Sequence, residues 1–210
     1  MHWKVLMMVG LLAGSIAWGY DTKYDPMMAS LDASQSNIIL QALDSPDYDL
    51  VCSALKRVGE LRLKEAIVQV RNLVSAANPG SNLDKSIQVA KMRDIYILGV
   101  WVLGLIGDES DARMLSTYLM KDVFDKNRAY ALIGALGNLD YPVSRETLHE
   151  YAKRVEDERL AMLLVESLEK LNHRDSLIPL IRLRERPIFT DAFKARVDQA
   201  IRSIKEKGKK

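Results

Sequence analysis

Cysteine is almost missing from this 210-residue chain: Cys52 stands alone, so no intramolecular disulfide can form. Histidine is nearly as scarce. Beyond His2 there are only His149 and His173, and no cysteine lies near either, so no metal-ligand spacing is present and no metal or cofactor is expected. His149-Glu150 opens like a zinc-protease helix, but Lys153 stands where its second histidine would fall. Asn-x-Ser/Thr sequons are absent, so nothing marks a glycosylated product. No sign of charge dominates: 30 Lys and Arg face 28 Asp and Glu, which leaves no basic stripe of the kind nucleic acid requires. The glycines of Gly99 to Gly107 sit in a helical pattern with no Gly-Lys-Ser/Thr after them, which excludes a phosphate loop.

No apolar run reaches the length of a membrane span, but the N-terminus carries one with a recognisable layout. Lys4 supplies a short positive region, Val5 to Trp18 form a 14-residue apolar run, and Ala17-Trp18-Gly19 places small residues three and one before Tyr20. That is the layout of a secretory signal peptide over 1–19, with cleavage expected before Tyr20. A membrane span needs about 20 apolar residues, so no stable membrane insertion is expected once the leader is removed. Leu12-Ala13-Gly14-Ser15 has Ser where a bacterial lipoprotein carries its lipidated Cys, so the expected location is periplasmic or secreted.

What the chain does have is internal similarity. Four segments align without gaps: Ala54 to Gly59, Val102 to Gly107, Ala135 to Asp140 and Ser167 to Asn172. Each carries Leu (Leu55, Leu103, Leu136, Leu168), an aliphatic residue three later, then Gly, Asp or Asn, which reads as a helix C-cap. Val51, Gly99, Leu132 and Leu164 fall four before the Leu; Ile67, Leu115, Leu148 and Leu180 fall twelve after it. Each unit is therefore two amphipathic helices and a short turn. A single pair cannot bury both apolar stripes, so pairs must stack.

The pattern resembles the HEAT-repeat family, in particular its short bacterial, phycobilisome-lyase-like form. The match is clearest in Leu43-Asp44-Ser45-Pro46-Asp47 leading into Val51 to Leu55. It recurs as Asp125 to Ala129 before Leu136 and as Glu156 to Leu160 before Leu168, and Pro179 sits inside a first helix as in that family. The resemblance implies an all-α, right-handed α-solenoid of about five pairs over 34–206, after an N-terminal extension 20–33 and before a basic tail 207–210. First helices are expected near 34–43, 62–75, 109–121, 143–155 and 174–186, and second helices near 47–58, 84–106, 127–139, 158–171 and 191–206. A tetratricopeptide reading is the rival: successive Leu positions are 48, 33 and 32 apart, and the latter two lie near that repeat's length, but its signature does not recur.

In HEAT stacks the second helices line the concave side. The positions six and two before the Leu, and one after it, are expected to face away from the core: Asp49, Ser53, Lys56; Ile97, Trp101, Gly104; Tyr130, Gly134, Gly137; Met162, Glu166, Glu169. Ile97, Trp101 and Tyr130 would form an apolar patch rimmed by Lys56, Glu166 and Glu169, and such patches mark contacts. The competing expectation is that residues 20–33, with Met27 and Met28, or the longer 77–83 turn cover it. Both His are expected to be exposed and Cys52 buried. The expected function is an exported, non-catalytic scaffold that binds a protein or peptide along the concave face. The alternatives are a lyase-like accessory acting on a small molecule and a structural subunit of an envelope assembly.

Overall fold

A computed structural model of the protein describes residues 22–78, 87–121 and 125–207, with only the helical backbone of 87–90. The expected leader, most of the 77–83 turn and the end of the tail lie outside the described residues. Among those described the chain is all-helical, without a strand, in eleven α-helices.

Short polar caps set where the helices begin. Asp47, Asp125 and Asp157 each sit in extended backbone and accept hydrogen bonds from the amides two, or two and three, residues ahead. Those bonds satisfy donors that a helix start would otherwise leave open. The caps open three of the second helices, α3 (Tyr48–Leu61), α7 (Lys126–Leu136) and α9 (Glu158–Leu171). The other second helices are α5 (Ile87–Ile106) and α11 (Asp191–Lys207). The first helices are α2 (Ser36–Leu43), α4 (Ile67–Ala77), α6 (Glu109–Lys121), α8 (Pro142–Ala152) and α10 (Leu177–Arg184). Single 3-10 turns lead into α2, α4 and α10. A short α1 (Asp25–Ala29) precedes them all. Helices fall over all ten expected spans, and 109–121 and 158–171 match to the residue.

Five helix pairs result, and they stack in series. Contacts between second helices rise together along both partners, so these helices run parallel. Tyr48 meets Asp94 and Gly59 meets Trp101; Gly104 meets Ala135; Lys126 meets Asp157 and Gly137 meets Ser167; Glu158 meets Thr190 and Glu169 meets Arg196. First helices form the other row. Gln69 donates to the Leu40 carbonyl, and Arg71 to Asp108 and Asp111. Arg154 donates to the Leu119 carbonyl, and His149 meets Ser176.

The core runs between the rows. Leu55, Leu103, Leu136 and Leu168 are all fully buried, as are Leu115, Leu148 and Leu180. Each contributes about 1.5–3 kcal/mol relative to exposure. Ile67 is only half-buried, and Val70 takes the buried place on that helix. Cys52 is buried as expected.

C-terminal caps depart from expectation. Of the four aligned positions only Asn172 adopts the left-handed conformation, at φ 52°. Gly59 lies inside α3, which runs on to Leu61 and is capped by Arg62, also at φ 52°. Gly107 follows α5 without a positive φ, and α7 ends at Leu136, ahead of Asp140. Among the described residues no helix is long and apolar enough to cross a membrane.

Candidate partner-binding face

On α7 the residue after the aligned Leu does not face solvent. A Cβ on Gly137 would lie 2.5 Å from Ser167, and one on Gly104 would lie 2.7 Å from the Ala135 backbone. Both glycines are buried where consecutive second helices approach most closely, so they admit the neighbouring helix and do not flatten an open surface. The position after the aligned Leu is thereby lost from the expected outward face, while the positions six and two before it stay open at Tyr130 and Gly134.

Ile97 must be corrected for a related reason. It is 5% exposed, because α3, α4 and α7 all pack on α5 and leave that helix little free surface. Trp101 is half-buried, with its ring against Gly59: a Cβ there would stand 2.2 Å from the ring edge. Gly59, read from the sequence as a cap, is in fact the seat of an indole.

Tyr130 does face solvent, at 40% exposure, and one turn later Gly134 has nothing within 4 Å of the place its Cβ would occupy. Met162 on the adjacent helix is half-buried and Glu166 is exposed. Glu169 is engaged by Arg196 at 2.5 Å. The surface that survives is therefore narrower than expected: Tyr130 and Gly134 at its centre, with Trp101 and Leu105 on one side and Met162 and Glu166 on the other.

Lys56 is not at a free rim either. Residues 22–31 form a strap across α3, and Asp25 accepts from Lys56 Nζ at 2.8 Å and from Ser53 Oγ at 2.7 Å. The Thr22 hydroxyl and amide also donate to Asp25, and Thr22 and Ser53 meet hydroxyl to hydroxyl. Burial pushes the Asp25 carboxyl up, but these donors outweigh it and hold its pKa at about 2. Tyr24 donates to Asp47 at 2.6 Å and Arg57 donates to the Leu31 carbonyl. Met28 is buried, whereas Met27 is 46% exposed. The strap thus covers the Asp49–Ser53–Lys56 row, and Tyr130 remains open. Nothing in the sequence pattern of 22–31 signalled the strap beyond the placement of its two methionines.

Polar groups elsewhere serve the stack. Asp108 and Asp111 cap the start of α6, and Asp111, 1% exposed, holds Arg71 at 2.6 and 2.9 Å. These carboxylates hold the Arg71 guanidinium well above its ordinary pKa. Tyr48 donates to Asp94 at 2.8 Å, and burial first, then Asp94, pushes its phenol up. Burial pushes the Cys52 thiol up to about 12, so it is protonated at neutral pH and is a packing residue, not a nucleophile. His149 and His173 are both half-buried, where exposure was expected. No group of three or more His, Cys, Asp or Glu among the described residues could hold a metal ion. No family model matches the chain, and no curated protein matches it.

Proposed function

We propose that this chain is an exported, HEAT-like α-solenoid scaffold that holds a protein or peptide partner on the face built by its middle second helices. The observation that carries the reading is the open strip at Tyr130 and Gly134: an aromatic ring 40% exposed beside a helical glycine above which space is empty. Three parallel second helices contribute to it, with half-buried Trp101 and Met162 flanking and Glu166 at the border. Exposed aromatics with a low entropy cost of immobilisation are the usual anchors of such contacts. Parallel stacking of five pairs supports the solenoid reading, and the leader-like residues 1–19 support export.

The test uses Gly134→Gln. Glutamine is a better helix former than glycine, so the fold should keep or gain stability, by up to about 1 kcal/mol. The same side chain would fill the strip. Tagged wild-type and variant proteins are compared in envelope extracts for what co-purifies. A discrete protein retained by wild type and weakened at least tenfold by the variant supports the reading. Equal retention by both would place the contact elsewhere, and recovery of a bound small molecule would favour the accessory alternative.

A further inference from the structure

On the opposite row, between α8 and α10, a small open cleft of about 90 Å³ is lined by His149, Ala152, Lys153, Pro179 and Arg182. No carboxylate lines it. His149 and Ala152 lie in the last turn of α8 with Lys153 as its C-cap, and Pro179 and Arg182 are one turn apart on α10, so each side of the cleft presents a cation near an apolar residue. Arg182 is exposed and makes no ion pair among the described residues, while Lys153 leans on the exposed Glu150. His149 Nε2 lies 3.0 Å from the Ser176 hydroxyl, which fixes the ring and leaves Nδ1 as its remaining polar atom. A nucleophilic reading fails: Ser176 is fully buried, and Asp175 pairs with His173 at 3.2 Å.

We infer that this cleft is a binding site for a carboxylate carrying a short apolar tail, with the acid held by Arg182 and Lys153 and the tail laid on Ala152 and Pro179. The guanidinium supplies a planar fork that matches a carboxylate, and Lys153 adds a point charge once Glu150 is displaced. The apolar floor selects the tail over the bare anion. His149 sets a pH dependence. Burial keeps its pKa below the ordinary 6.5, against Asp175, which raises it, His173 and Arg145, which lower it, and Glu146, which raises it. The ring is therefore neutral at pH 7, and protonation at lower pH adds a third positive charge beside Lys153 and Arg182.

The experiment follows the His149 ring resonances by NMR in the full chain as pentanoate, then acetate, is titrated at neutral pH. The expected result is a saturable shift with pentanoate in the millimolar range, at least fivefold tighter than acetate. Arg182→Ala and Lys153→Ala should each weaken it at least fivefold, with circular dichroism unchanged. Pentane-1-sulfonate, whose charge is constant between about pH 5 and 8, should bind more tightly as pH falls, and His149→Gln, followed by the backbone amide resonances of Lys153 and Arg182, should abolish that trend. A free acid and a peptide C-terminus share this chemistry. A Leu-ending pentapeptide that binds tighter than pentanoate only when its C-terminus is free identifies the peptide as the source, and otherwise the small acid is. No saturable shift, or full affinity in Arg182→Ala, overturns the site. Gly134→Gln lies on the other row and should leave it untouched.

Discussion

Gly59 and Trp101 show what a residue can mean that its own neighbourhood does not disclose. By local rules a glycine four after an aligned Leu closes a helix, and Asn172 obeys that rule. Gly59 is instead kept bare by an indole arriving from the next pair, a contact 42 residues away. Gly59→Ala gains helix propensity of about 1 kcal/mol but forces the ring to move, so it should destabilise by about 1–2 kcal/mol net. The displaced Trp101 should emit further to the red and be quenched more readily by acrylamide. Unchanged emission and stability would mean that the ring does not rest on Gly59. Leu136→Ala, in the fully buried row, should cost roughly 2–5 kcal/mol in denaturant titrations. Lys56→Ala, at a position the sequence marks as exposed, should cost about 1 kcal/mol, since it strips the strap of a charged hydrogen bond.

At the scale of elements, the helices were legible and their outward faces were not. Apolar spacing is a property of one helix, so 109–121 and 158–171 could be read to the residue. Which flank faces water depends on where the next helix packs. Gly104 and Gly137 were assigned to the open face and are consumed by Ala135 and Ser167 of the following pair. Ile97 was lost for the same reason, and Tyr130 survived because Gly134 beside it meets nothing. The strap was legible only through its methionines, of which Met28 is buried, because the rest of its hold on α3 is polar and non-periodic. That hold is also its testable property. The Asp25 carboxyl titrates at about 2 in the fold against an ordinary 3.8, so its stabilisation is complete above pH 4 and is lost as pH falls toward 2. Discounted for partial exposure, the contribution is about 1 kcal/mol. Asp25→Asn should therefore be less stable than wild type at pH 6 and converge with it near pH 2. A constant difference across that range would assign the loss to packing and not to the carboxylate.

Among the described residues the stack begins with the α2–α3 pair, and the strap lies over the face of its second helix. Thr22, the first described residue, is already buried at 7% and bonded to Ser53 and Asp25. The expected cleavage before Tyr20 would leave every one of these contacts intact, whereas cleavage ten residues later would remove Asp25 and Met28 from α3. Processing at the expected position would therefore spare the stack, and processing beyond Asp25 would not. Exported protein should have Tyr20 as its N-terminal residue by sequencing or intact mass. A chain beginning at Tyr20 should match the full-length chain in urea midpoint. One beginning at Asp32 should lose stability by about 2–4 kcal/mol, from the uncovered Met28 seat and the broken Asp25–Lys56 pair. It should also lose the acid-sensitive component that Asp25→Asn removes, since both changes delete the same carboxylate. An Asp32 start that is as stable as Tyr20 would reduce the strap to a passive extension and return the face of α3 to the open surface beside Trp101. A mature chain that retains Met1 and fractionates with membranes would mean that residues 1–19 anchor the stack and do not leave it.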